Sequence, residues 1–85
     1  MTKPIRLSGH ASIQISRRGV FREEVEEAIR KASWQPAELD RLECRKDFAY
    51  NREWNGKFYH TKQVRPIFVE ELNEILVVTV YAYYF

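Results

Sequence analysis

The chain has 85 residues, which is enough for one domain with one hydrophobic core. Its 45% hydrophobic share excludes a disordered chain, and a single cysteine excludes both an internal disulfide and a cysteine-rich metal site. No apolar stretch approaches the roughly 20 residues that a membrane span needs, and the N-terminus lacks a signal-peptide core. We therefore expect a cytoplasmic protein with no membrane partner.

Charge is unevenly distributed along the chain. Residues 1–65 hold all 14 Lys and Arg against 9 acidic residues, for a net charge of +5, whereas residues 66–85 hold three Glu and no basic residue, for −3. Such a split can steer a nucleic acid or an acidic partner toward one side of a protein. It also arises by chance in small proteins, so it permits a nucleic-acid partner without establishing one.

The N-terminal residues predict a short edge strand followed by a helix. Residues 5–7 are suited to the strand, and Ser8 stands where an N-cap belongs. The helix is expected to run through about Arg17 and to end at Gly19, a typical residue after a helix C-terminus. The spacing of four between Ala11 and Ile15 predicts that both face the core.

A second helix is predicted from periodicity. Four apolar residues follow the i, i+3, i+4, i+7 pattern: Val25, Ala28, Ile29 and Ala32. Glu23 and Glu24 fall in the first turn, where the helix dipole favours anions. Glu26 and Glu27 are expected to pair with basic residues at positions 30 and 31, one turn later.

The rest of the chain predicts an antiparallel sheet. Residues 39–50 alternate in the manner of a twisted, half-exposed strand, and Asn55-Gly56 is a strong hairpin signal. Residues 57–85 read as two long strands joined by a short acidic turn at 71–74. The predicted fold class is α+β, ordered β-α-α-β-β-β, with two helices on one face of a sheet of three or four strands.

No sequence pattern points to a bound cofactor. Phosphate-binding glycine loops, metal-ligand spacings and serine-nucleophile motifs are all missing, so we expect neither cofactor nor metal. Cys44 is interpreted as an inert strand or core residue. His10 is the best single candidate for chemistry, because a position in the first turn of a helix favours the neutral imidazole that could act as a base. An equally good interpretation is that His10 ties the helix start to nearby backbone.

Positive charge and tyrosines are concentrated in the predicted strands. The strand-borne positive charge comes from Arg45, Lys46, Arg52, Lys57, Lys62 and Arg65. As a set on one side of the sheet, these residues could hold RNA phosphates while Tyr81 or Tyr83 stacks on bases. A ribonuclease that needs no metal must remove a proton from the ribose 2′-hydroxyl, donate another proton, and stabilise charge on the phosphate. His, Arg, Lys and Tyr are the usual residues for that work.

Several short motifs together resemble a family of small bacterial domains placed near the RelE- and BrnT-like toxins of toxin–antitoxin systems. The motifs are His10-Ala11, Arg18-Gly19-Val20, Glu23-Glu24-Val25, Ala28-Ile29 and Val77-Val78-Thr79-Val80-Tyr81. The resemblance covers most of the chain and implies one toxin-like domain over residues 1–85. It implies an endoribonuclease that cuts mRNA, free or on the ribosome, and that an antitoxin protein neutralises.

These observations give one leading hypothesis and two alternatives. The leading hypothesis is a toxin-like endoribonuclease, with catalytic residues His10, Arg65 and Tyr83 and RNA-binding residues Arg18, Arg45, Lys62 and Tyr81. The first alternative is a non-catalytic module that keeps the fold and binds protein or RNA through its sheet. The second is a small structural subunit that forms a homodimer through sheet edges.

Overall fold

The computed structural model describes residues 3–85, which form two helices and six strands. In chain order the elements are β1 (Ile5–Leu7), α1 (Gly9–Arg18), α2 (Arg22–Lys31), β2 (Gln35–Pro36), β3 (Leu42–Glu43), β4 (Lys46–Trp54), β5 (Lys57–Glu70) and β6 (Ile75–Tyr84). The predicted α+β class is confirmed, and so is the placement of both helices ahead of the long strands.

All six strands belong to one sheet, with β5 and β6 at its centre. The order is β1-β6-β5-β3-β2, and β4 pairs with β5 beside β3. Every pairing is antiparallel except that of β1 with β6, which is parallel. The prediction of three or four strands was too low, because the chain before β4 doubles back at Leu39 and Asp40, two residues with positive φ, and forms the short strands β2 and β3.

Both helices pack on the same face of the sheet. α1 lies over β6 and α2 lies over β5. From α2 the core takes Val25, Ala28 and Ile29, as the periodicity predicted, and α1 adds the buried Ala11. The sheet contributes Val64 and Phe68 of β5 and Val77 and Val80 of β6 to the core. Val77 and Val80 are three residues apart but face the same side, because the β5–β6 register shifts between Ile67 and Phe68.

The opposite side of the sheet carries the residues that alternate with this core. They include Gln63, Arg65 and Ile67 of β5 and Thr79, Tyr81 and Tyr83 of β6, and we call this side the helix-free face. Neither of the two helices in residues 3–85 covers it. The helix-free face is therefore where strand-borne arginines and tyrosines can meet a ligand.

Local signals in the sequence fix the ends of α1. The Ser8 hydroxyl accepts a hydrogen bond from the Ala11 amide at 3.0 Å, and Gly19 ends the helix in the left-handed conformation at φ 69°.

Neither helix in residues 3–85 is long and apolar enough to cross a membrane.

The charged residues of α2 pair differently from the prediction. Arg22 binds Glu26 at 2.8 Å within the helix, while Glu27 reaches Lys46 of β4 at 3.6 Å. Glu24 accepts a hydrogen bond from the Phe21 amide at 2.9 Å and so closes the N-terminus. The acidic face of α2 is thus partly used to attach the helix to the sheet.

Two tight turns set the register of the long strands. Asn55 and Gly56 both have positive φ, at 51° and 82°, as a two-residue hairpin of type I′ requires. At the other end of β5, the Glu71 amide donates to the Glu74 carbonyl at 2.8 Å and closes the acidic turn. Both predicted turns are confirmed.

Candidate functional site

Five of the seven predicted site residues come together at the helix-free face. We call them, with one additional carboxylate, the arginine–tyrosine cluster; its members are Arg18, Arg45, Arg65, Tyr81, Tyr83 and Glu43. Strand pairing explains most of the convergence, because Arg65 lies directly opposite Tyr81 in the β5–β6 register and Tyr83 follows two residues later on the same face.

Arg65 is the centre of the cluster, and Glu43 holds it in place. The two side chains make a bidentate pair, with Nε to Oε1 at 3.2 Å and Nη2 to Oε2 at 2.7 Å. This hydrogen bonding lowers the pKa of Glu43 and raises the pKa of Arg65. At neutral pH the cluster therefore contains an ionised carboxylate with a fixed guanidinium beside it.

The two tyrosines flank the guanidinium of Arg65. Its Nη1 donates to the Tyr83 hydroxyl at 3.3 Å, and its Cζ lies 5.4 Å from the centroid of the Tyr81 ring. Arg45 lies 5.9 Å from the Tyr83 ring and 3.7 Å from Glu43, measured from Nε to Oε1. Guanidinium planes and phenol rings at such distances attract each other and leave flat surfaces exposed for stacking.

Arg18 joins the cluster from the other side of the sheet. It ends α1, yet its Cζ lies 5.1 Å from the centroid of Tyr81. β1 pairs with β6 only over residues 75–77. Within residues 3–85, no other strand pairs with that edge of β6, so the edge is open from residue 78 onward. The side chain reaches around that edge, and Gln14 fixes it by accepting from its Nε at 2.9 Å.

Lys62 lies on the helix side of the sheet and not in the cluster. It is 2% exposed, and its Nζ contacts the Glu24 carboxylate at 2.8 Å and the Gly19 carbonyl at 2.9 Å. The predicted RNA-binding role for Lys62 does not fit this position. The reason is strand alternation, since Lys62 and Arg65 are three residues apart and must point to opposite faces.

His10 is also separate from the cluster. It is exposed in the first turn of α1, and eight residues of helix, about 12 Å of axial rise, separate it from Arg18. No hydrogen bond or ion pair within residues 3–85 connects it to Arg65 or Tyr83. Of the predicted catalytic residues, the structure thus brings Arg65 and Tyr83 together and places His10 apart from them.

Glu43 is the cluster residue that the sequence did not reveal. It precedes Arg65 by 22 residues and belongs to the two-residue strand β3, which pairs Glu43 with Ile67. This register sets Glu43 diagonally across from Arg65 on neighbouring strands. A strand of two residues is too short to produce a periodic sequence pattern. Only the pairing of β3 with β5 identifies the Glu43 carboxylate as a neighbour of Arg65.

A groove of about 600 Å³ adjoins the cluster on the helix-free face. Its floor includes Ile67, Thr79 and Tyr81, one wall includes Glu43 and Arg65, and the loop from 36 to 41 forms its rim. Within residues 3–85, no three His, Cys, Asp or Glu side chains lie close enough together to share a metal ion.

No protein-family model, curated protein or solved structure was found to match this chain. The resemblance to RelE- and BrnT-like toxins therefore stays a prediction.

Proposed function

We propose that the protein binds single-stranded RNA through the arginine–tyrosine cluster and cleaves it as a metal-independent endoribonuclease of the toxin type. The observation that carries the proposal is the convergence of three arginines on two tyrosines at a sheet face that neither helix covers. Two of these arginines come from strands or their junctions and one comes from a helix end, so the convergence is a product of the fold.

The cluster has the chemistry that unpaired RNA requires. Guanidinium groups contact phosphates through paired hydrogen bonds, and aromatic or guanidinium planes stack on exposed bases. Arg45 is exposed, and Tyr83 keeps 40% of its surface accessible, so both can contact a ligand without rearrangement of the backbone. Arg65 is half-buried and preoriented, which suits it to a single phosphate at the centre.

Glu43, Arg65 and Tyr83 supply the three groups needed for cleavage. In the proposed step the Glu43 carboxylate takes the proton from a ribose 2′-hydroxyl, and the 2′-oxygen attacks the adjacent phosphorus. The bond from phosphorus to the 5′-oxygen breaks, Tyr83 donates a proton to that oxygen, and Arg65 stabilises the charge on the phosphate. The products are a 2′,3′-cyclic phosphate and a 5′-hydroxyl.

Glu43 is a better candidate base than His10 because it already contacts Arg65. In the free protein Arg65 keeps the pKa of Glu43 low, which makes the carboxylate a weak base. A phosphate oxygen that competes for the guanidinium N–H groups weakens those hydrogen bonds and so raises the proton affinity of Glu43. Binding of the substrate would thus activate the base.

A cleavage assay tests this assignment. A labelled single-stranded RNA is incubated with wild type in EDTA, and the products are separated on a denaturing gel. We expect Glu43→Gln to lower the rate by about 10²- to 10⁴-fold, which is the usual contribution of a general base. Tyr83→Phe and Arg65→Lys should each lower it at least about tenfold, because they remove the acid and the bidentate fork.

His10→Ala is the matched control for the same assay. It removes an exposed ionisable side chain outside the cluster, so its rate should equal that of wild type. Cleavage that depends on His10 and not on Glu43 would contradict the proposed base. Induced expression in a bacterial host should also arrest growth, and Glu43→Gln should relieve the arrest; harmless wild-type expression would contradict the toxin assignment.

A non-catalytic RNA-binding module is the second candidate. The separation of His10 from Arg65 and Tyr83 favours it, because the histidine that the motifs supply is not beside the cluster. This candidate predicts RNA that is bound but stays intact in the gel assay, with affinity that Arg65→Lys weakens. An antitoxin partner and a homodimer remain predictions. Copurification with a neighbouring gene product would test the antitoxin, and light scattering would test the homodimer.

A further inference from the structure

The groove next to the arginine–tyrosine cluster differs from the cluster in its charge. Four charged residues line it, namely Glu38, Arg41, Glu43 and Arg65, and their formal charges cancel. A phosphate would meet two carboxylates there as well as two guanidinium groups. A neutral ligand with hydrogen-bond donors and acceptors along its edges fits such a surface better than an anion does.

The floor of the groove is apolar and partly aromatic. Ile67 is only 7% exposed, Thr79 is half-buried, and Tyr81 adds an aromatic ring to the lining. A flat heteroaromatic ring can lie against such a floor and remove apolar surface from water. The volume of about 600 Å³ is within the range of small-molecule sites and exceeds what one base needs.

The rim is a tightly closed loop. The Ala37 amide donates to the Arg41 carbonyl at 2.7 Å, and the Arg41 amide donates to the Glu38 carbonyl at 3.2 Å. Leu39 and Asp40 are held in the left-handed conformation at φ 60° and 58°, which aspartate tolerates but which is costly for leucine. Leu39 is 78% exposed at this rim, so an apolar side chain is available to cover a ligand.

We propose that this groove is a subsite for one unpaired nucleobase of the RNA whose phosphate contacts Arg65. The inference rests on the proposed function and adds a source of sequence preference to it. Arg65 and Glu43 border both surfaces, so a base in the groove and a phosphate at Arg65 belong to adjacent parts of one strand. The Glu38 carboxylate accepts from base amino and imino groups, and Arg41 donates to base carbonyls or ring nitrogens.

An abasic scan tests the subsite. Fluorescence anisotropy measures the affinity of wild type for an eight-nucleotide single-stranded RNA and for eight versions of it, each lacking one base but keeping every phosphate. We expect one position at which removal of the base weakens binding about 5- to 150-fold, the range for loss of one stacked base.

The variant Thr79→Trp fills the groove, and Thr61→Trp is its matched control. Both threonines lie on long strands, where tryptophan is well accepted, but only Thr79 lines the groove. Thr79→Trp should weaken binding of the intact RNA to the level of the abasic RNA and remove the sensitive position. Thr61→Trp should keep the wild-type pattern, and circular dichroism checks that both variants fold.

The outcomes separate the inference from the proposed function. Tight, salt-dependent binding with no sensitive position in wild type would overturn the subsite and leave the RNA-binding cluster in place. An abasic scan that is the same for Thr79→Trp as for wild type would also overturn the subsite and leave the RNA-binding cluster in place. No binding of any of the RNAs by wild type would overturn the proposed function, and the subsite with it.

Discussion

Single residues of β5 are sorted to opposite faces of the sheet by the two-residue period of the strand. Arg65 points to the helix-free face, where Glu43 and Tyr83 contact it. Lys62 points to the helices and is buried. Lys62 and Arg65 each add one positive charge to the strand, but only Arg65 can contact a ligand on the helix-free face. The number of cations in a strand therefore overstates the positive charge of each face of the sheet.

The Lys62→Met variant tests the assignment of Lys62 to the core. Removing the ammonium leaves the Glu24 carboxylate and the Gly19 carbonyl without their buried partner, so we expect the free energy of unfolding to fall by about 2 kcal/mol. Urea denaturation measures this loss. RNA affinity of the folded variant should match wild type; a selective loss of affinity with unchanged stability would mean that Lys62 serves the ligand.

The pair of Glu43 and Arg65 should make stability depend on pH. Because the pKa of Glu43 is lower in the folded state than in the unfolded chain, the pair stabilises the protein above the unfolded pKa, about 4.3. This contribution is lost as the pH falls through the lower, folded-state pKa. At pH 7 the free energy of unfolding of wild type should exceed that of Glu43→Gln by about 1 kcal/mol, a small value because the ion pair is partly exposed. This difference should shrink in acid.

Urea melts of both proteins from pH 7 to pH 3 measure the difference. Curves that stay parallel over the whole pH range would mean that Glu43 is not held by Arg65 in solution.

At the scale of elements, the junction between the helices is fixed by one glycine. Gly19 has a φ of 69°, and a Cβ built there would lie 2.6 Å from the Trp54 ring, which stacks on Tyr84. The Tyr84 hydroxyl in turn donates to the Arg18 carbonyl. The end of α1 is therefore packed directly against the β4–β5 hairpin and the end of β6.

Gly19→Ala and Gly9→Ala form a matched pair of variants. Gly19→Ala should cost about 2–4 kcal/mol of unfolding free energy, from left-handed strain together with overpacking against Trp54. A Cβ built at Gly9, the first residue of α1, meets no atom within 4 Å, so alanine there should be neutral or slightly stabilising. Thermal melts compare the two. Equal effects would mean that the hairpin does not pack on Gly19.

Elements with local signals were predictable from the sequence, and elements made by distant pairing were not. The Ser8 cap, the apolar stripe of α2 and the Asn55-Gly56 turn depend on neighbouring residues, and all three are confirmed. The strands β2 and β3 have two residues each: β3 pairs with the edge of β5, and β2 in turn pairs with β3. The same distinction explains why Arg65 was predicted as a site residue and Glu43 was missed.

For the whole molecule, the charge split along the sequence is not a split in space. N-terminal cations pair with the carboxylates at the β5–β6 junction: Lys3 lies 3.3 Å from Glu70 at the end of β5, and Arg6 lies 2.6 Å from Glu74 in the acidic turn. The tyrosines of β6, which come from the segment without basic residues, lie among arginines from the earlier part of the chain. Pairing of β5 with β6 thus creates a cationic, aromatic surface that neither segment has alone.

The central claim is that this surface holds RNA phosphates, and the salt dependence of RNA affinity tests it most directly. Fluorescence anisotropy with single-stranded RNA gives the dissociation constant over a series of salt concentrations. Because each neutralised phosphate contributes about −0.7 to the slope of log affinity against log salt, three arginines predict a slope near −2. The double variant Arg45→Gln and Arg65→Gln should flatten the slope by about 1.4.

The matched control removes two exposed charges from the end of α2 by Arg30→Gln and Lys31→Gln. It changes the net charge by the same amount, so a wild-type slope is expected if the helix-free face is the binding surface. A slope that falls equally in both double variants would show only general attraction to the protein. A wild-type affinity that ignores salt, or no binding at low salt, would contradict the account.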